Sequence, residues 1–112
     1  MKLGAFTIVL HSHLPYVLAH GRWPHGTEWL SEAAAESYLP LIRGIERLLE
    51  RGVRPGITLG ITPILAEQLA SDAFQDELDG WLEERIESAR HDAEVFEWEG
   101  FRHRAWLARR WA

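Results

Sequence analysis

The chain has 112 residues, 46% hydrophobic and 26% charged, with a formal net charge of −5 and no cysteine. That is the length and balance of one folded, globular, soluble domain with a modest core. It excludes a disulfide framework or thiolate metal site, an apolar run near the ~20 residues of a membrane span, and the clustered Lys and Arg that nucleic acid requires. The first apolar run, Leu3–Leu10, follows a single positive charge and stops at His11. It is too short for a secretory leader, so the expected location is cytoplasmic. Its richness in strand formers and its lack of polar alternation predict a strand buried on both faces, as in parallel sheets. Pro15 pushes Leu14 away from helix, so His11-Ser12-His13-Leu14-Pro15 leads into a loop that continues through Gly21, Pro24 and Gly26.

Thr27 is placed to N-cap a helix starting at Glu28. Apolar residues recur with helical period at Leu30, Ala34, Tyr38, Leu41, Ile45, Leu48 and Leu49. Pro40 inside that stretch predicts a kink, or a second helix with Pro40 in its first turn. Gly52 suits the position after the last turn. Ile57–Ile61 (ITLGI) is the next strand, and the intervening crossover is long enough for a parallel pair. Thr62-Pro63 reads as N-cap and first position of a helix to Leu69, and Ser71 as the cap of another. The apolar stripe of the latter is Phe74, Leu78, Trp81, Leu82, Ala89, Ala93 and Phe96. Gly100 ends it, and Phe101 to Trp111 begins one more helix. The chain stops at Ala112 inside that pattern, and two parallel strands alone make a poorly covered sheet. The expectation is therefore a cut sequence, not a complete domain.

Chemistry concentrates after the first strand, at His11, His13, His20, Trp23, His25 and Trp29. In parallel α/β folds ligands bind at the carboxyl edge of the sheet. In an extended His-Ser-His the two imidazoles point to one side. Three roles fit them: two ligands of a metal that needs a third, hydrogen-bond donors to a polyhydroxylated substrate, or partners for buried backbone at the strand end. The six tryptophans suit either a core or platforms for the apolar faces of sugar rings. Glu28, Glu32 and Glu36 share one helix face and read as solvated rather than as paired catalytic acids. Arg102, Arg104, Arg109 and Arg110 read as a face balancing the acids before them. No Gly-x-Ser-x-Gly turn, cysteine nucleophile or glycine-rich phosphate loop is present.

His11-Ser12-His13-Leu14-Pro15-Tyr16-Val17, directly after a strand-like run, resembles the first sequence motif of glycoside hydrolase family 57. Gly21-Arg22-Trp23-Pro24, Glu28-Trp29-Leu30, Glu36-Ser37-Tyr38-Leu39-Pro40-Leu41 and Ile57–Leu65 are similar to its 1,4-α-glucan branching enzymes, so the likeness spans roughly residues 4–100. The resemblance implies the N-terminal portion, residues 1–112, of an incomplete (β/α)7 barrel. It implies an α-glucan substrate, no metal or other cofactor, and retention through a Glu nucleophile and an Asp acid/base, both beyond Ala112. The partner would be the rest of the parent polypeptide, and the reaction would form α-1,6 branches in glycogen-like polymers. The residues carried over are His11 and His13 near the −1 sugar, with Trp23 and Trp29 beside the cleft. A family 57 α-amylase or 4-α-glucanotransferase is the alternative within the family, and a non-catalytic glucan-binding or structural piece the alternative outside it.

Overall fold

The computed structural model describes residues 4–112. Its elements are β1 (Ile8–Ser12), α1 (Thr27–Ala33), a π-helical turn (Ala34–Tyr38), α2 (Leu39–Glu50), β2 (Ile57–Ile61), α3 (Pro63–Leu69), α4 (Asp72–Trp98) and α5 (Arg102–Trp111). They form two compact units, one ending at Phe74 and one comprising Gln75–Ala112. The architecture is mixed α/β. Among the described residues no helix is long and apolar enough to cross a membrane.

The two strands pair in parallel, in register from Ile8 opposite Ile57 to Ser12 opposite Ile61. The expected order of strand, helices and strand therefore holds, but β1 lies later than the apolar run suggests. Gly4–Thr7 are not in strand, whereas His11 and Ser12 are, and Leu3 lies outside the described residues. The ladder sets these limits, since a residue counts as strand only where β2 offers a partner. Burial on both faces is also not what the strand shows. Val9 is 69% exposed and Ile8 40%.

The buried apolar residues of the first unit come instead from the loop after β1 (Leu14, Val17), the helical stretch after it (Leu30, Ala34), α3 (Leu65) and Phe74. Leucine and valine within a loop are an unusual core. Their burial forces the neighbouring backbone N–H and C=O groups to find partners within the protein.

The helix ends follow two different rules. Gly52 and Gly100 both take positive φ, 72° and 82°. Each is followed by the pair of backbone bonds that closes a Schellman motif: Val53 N–H to Leu48 O with Gly52 N–H to Leu49 O, and Phe101 N–H to Phe96 O with Gly100 N–H to Glu97 O. The N-terminus of α1 departs from the sequence reading. Thr27 is its first residue and Gly26 its cap, with no side-chain capping bond. The preceding loop supplies acceptors instead: Gly21 O takes the N–H of Thr27 at 2.9 Å and Arg22 O that of Glu28 at 3.2 Å. A Cβ built on Gly26 would overlap Gly21 O, so glycine is required for this close approach.

Pro40 does restart the helix. It occupies the first turn of α2, and the residues before it widen into the π turn, whose closing bond runs from Leu39 N–H to Ala34 O. A proline ring collides with the carbonyl four residues earlier, here Glu36, and offers it no N–H. The wider turn relieves both problems without breaking the rod. In the second unit the expected stripe is found: Trp81 and Ala93 are buried, with Leu78, Leu82, Ala89 and Phe96 partly so. The arginine cluster behaves as a balancing face, with Arg109 paired to Glu97. The Arg104 guanidinium sits 4.7 Å from the Phe101 ring centre and that of Arg110 5.2 Å from Trp106.

Candidate functional site

The carboxyl ends of β1 and β2 bring the two motif histidines against the second strand. His11 lies opposite Gly60 in the ladder, and a Cβ added to Gly60 would stand 3.3 Å from His11 Nδ1. The ring therefore lies over a strand position that carries no side chain. Two residues on, His13 Nδ1 and Thr62 Oγ1 share a hydrogen bond of 3.4 Å. Thr62 is the N-cap of α3, and its own N–H bonds Ser12 O at 3.3 Å. The imidazoles thus meet alternate positions of the neighbouring segment, His11 at Gly60 within β2 and His13 at Thr62 just past its end, as the period of two requires. Both are exposed.

Two hollows on this unit are lined by the described residues named above. One, of about 320 Å³, is lined by His11, Ser12, Tyr38, Leu41, Gly60 and Leu65 among others. The other, of about 560 Å³, is lined by Trp23, Pro24, His25, Glu28, Trp29 and Glu32. The four residues singled out from sequence are therefore distributed: His11 on the first hollow, Trp23 and Trp29 on the second, His13 on neither. Trp23 is 77% exposed, a large apolar surface left in water. The Trp29 ring centre is 5.4 Å from that of His25, tilted by 60°. His25 takes φ 60°, a left-handed conformation that histidine tolerates better than most residues. The Trp23–Pro24 peptide is cis.

Sequence reasoning missed the position of Glu28 and Glu32, which look like a solvated helix face but border the tryptophan hollow. Their i, i+4 spacing around Trp29 was the available signal. It also missed Gln68, which is fully buried and bonds the loop after β1. Nothing in the sequence around Gln68 marks it. Every carboxylate among the described residues lies on a helix or helical turn, save Glu99 just after α4; none follows a strand directly. Among those residues no group of three His, Cys, Asp or Glu side chains converges as metal ligands would.

No family model matches the chain. A 1,4-alpha-glucan branching enzyme of Thermococcus kodakarensis is 43% identical over 89 residues, 80% of this chain and 13% of that protein. A probable 1,4-alpha-glucan branching enzyme of Mycobacterium tuberculosis is 43% identical over 79 residues, 70% of this chain and 15% of that protein. The crystal structure of a GH57-type branching enzyme from Pyrococcus horikoshii superimposes with a TM-score of 0.84 at 44% identity, over 94% of this chain and 20% of that one. The chain belongs to glycoside hydrolase family 57. The GH57 branching enzyme of T. kodakarensis, solved with glucose and additives, gives a TM-score of 0.78 at 34% identity. The family 57 likeness runs through both the strand pair and the helices, since 94% of the chain is covered. This family 57 chain nevertheless spans only a small part of its relatives, 13% of the first and 15% of the second.

Proposed function

We propose that this chain forms part of a retaining 1,4-α-glucan branching enzyme, which cleaves an α-1,4 bond and passes the glycosyl unit to the 6-hydroxyl of an acceptor glucan. The observation that carries this reading is the 44% identity and TM-score of 0.84 to a GH57-type branching enzyme across 94% of the chain. The two strands would be the first of an incomplete (β/α)7 barrel. The chemistry is a double displacement. A carboxylate attacks the anomeric carbon while an acid protonates the departing oxygen; that acid, now a base, then takes the proton from the incoming 6-hydroxyl as it displaces the enzyme. Such a pair stands about 5 Å apart across the scissile bond. The family resemblance assigns the Glu nucleophile and Asp acid/base to later barrel strands, in keeping with the absence of a carboxylate directly after either strand among the described residues.

His11 and His13 supply hydrogen bonds to sugar hydroxyls at the strand ends, where they hold the donor glycosyl unit in place. Trp23 and Trp29 offer flat apolar faces to the C–H surface of a glucan. One relative was solved in complex with glucose and additives.

The test incubates the whole protein with amylose and follows the anomeric protons by NMR. New α-1,6 signals support branching. Products with α-1,4 linkages alone would replace it by a glucanotransferase or amylase, and unchanged amylose by a glucan-binding role. His13→Ala should lower the transfer rate at least ~100-fold, in the range of a lost positioned hydrogen-bond donor, with the thermal midpoint retained. Full activity in that variant would remove the assigned role.

A further inference from the structure

Helix α3 holds the loop after β1 at two points. The first is the hydrogen bond between Thr62 Oγ1 and His13 Nδ1. The second is Gln68, on the next turn but one. Its Oε1 accepts the backbone N–H of Val17 at 2.7 Å, and its Nε2 donates to Pro15 O at 3.1 Å and to Ile64 O at 3.3 Å. Both amide hydrogens are used, and the side chain is wholly buried.

The loop makes such a partner necessary. Leu14 and Val17 are buried, and so is the bond from the Val17 N–H to Gln68; Pro15 is exposed, its carbonyl bond to Gln68 is partly buried, and proline contributes no N–H of its own. An unpaired buried donor or acceptor is costly. A primary amide is the smallest side chain that presents one acceptor and two donors from a single planar group. Gln68 thereby fixes the distance between α3 and the segment that carries His13. His11, in contrast, belongs to β1 itself and lies opposite Gly60 in the ladder.

We propose that Gln68 is a positioning residue for His13: by bonding Pro15 and Val17 it holds the loop so that the His13 imidazole meets Thr62 and faces the substrate. The link to substrate rests on the function proposed above, whereas the link to the ring does not.

The test uses the whole protein with selectively labelled histidine. Gln68→Met keeps length and apolar bulk while removing all three hydrogen bonds. The His13 ring resonances should move and the Val17 amide should exchange at least ~10-fold faster, while the His11 ring resonances stay in place. A general loosening would shift both rings, and that result, or a fixed His13 ring, overturns the proposal. Gln68→Glu is the rescue and the safeguard if the methionine variant does not fold. Buried and protonated, it can accept from Val17 and donate to Pro15, so the His13 resonances should return towards their original place; failure to return argues against the hydrogen bonds as the cause. On amylose, kcat/KM should fall roughly tenfold in Gln68→Met, a modest value for a displaced contact. Unchanged kcat/KM with a moved ring would end the link to substrate. An unaltered protein inert towards amylose would end the proposed function and leave the ring comparison to decide the rest.

Discussion

Gly60 is the residue on which the placement of His11 turns. A methyl group there would stand 3.3 Å from Nδ1, tighter than ordinary packing, so the imidazole and not the strand must give way. Gly60→Ala should displace the ring by a few tenths of an ångström and lower transfer from amylose several-fold, and Gly60→Val by roughly tenfold or more. Stability should be held or slightly raised, because glycine is a poor strand residue and valine a good one. Activity and thermal midpoint therefore move apart, and a midpoint that falls with activity would show that the glycine serves the backbone. Trp29→Ala tests the neighbouring hollow: losing one stacking face should cost about 1 kcal/mol of maltoheptaose binding, about a fivefold rise in Kd, read by calorimetry. His11, His13 and Trp23 stand out in the sequence because each is chemically conspicuous at a strand exit or beside a proline, and Trp29 stands out by residue type alone. Gln68 was not, since a glutamine on a helix reads as solvent-facing until the burial of Leu14 and Val17 is known.

Among the elements, α1 shows most clearly where local rules give way to tertiary ones. Thr27 is a good capping residue by type, yet it is buried within the first turn, and carbonyls from Gly21 and Arg22 do the capping. The loop 21–26 and the helix are thus one unit, and that unit carries Trp23 and His25 to the hollow. Gly26→Ala should cost more than about 2 kcal/mol, since the new Cβ meets backbone that cannot yield; a urea midpoint is the measurement, and a loss below ~0.5 kcal/mol would mean the loop relaxes freely. Periodicity found the helices well because the Schellman glycines and Thr62-Pro63 are purely local signals. The strand limits were less legible, as Gly4–Thr7 have strand-like composition but no place in the ladder, and pairing is decided elsewhere in the chain. The proline at 40 announced a disturbance, though a widened turn and an outright break satisfy its ring equally well, and only the path of the chain selects between them.

At the scale of the whole molecule, the strand pair leaves much apolar surface in water. On one face Ile61 is 55% exposed, Leu59 43%, Ile8 40% and Leu10 38%, with Val9 69% exposed on the other, and adjoining side chains of this kind exceed the scattered leucines normal on a surface. Produced as residues 1–112 alone, the chain should bind an anilinonaphthalene dye strongly and associate with rising concentration. A monodisperse monomer without dye enhancement in sedimentation and fluorescence measurements would contradict this. Parallel pairing followed from the length of the crossover and from the family likeness. The division at Phe74 was not legible, because the apolar stripe of α4 runs across it without change of period.

The two attachments of α3 to the loop also constrain how this part of the protein can be altered. Thr62 and Gln68 are six positions apart, and each residue of a helix turns the next by about 100°. One residue inserted between them would swing Gln68 off the Pro15 carbonyl while leaving Thr62 in place. Chimaeras with other family members should therefore exchange residues 13–17 and 62–68 together, as one cassette with two widely separated coding blocks. The long stretch between those blocks answers to separate constraints, Gly26 against the loop backbone and Gly60 beneath His11.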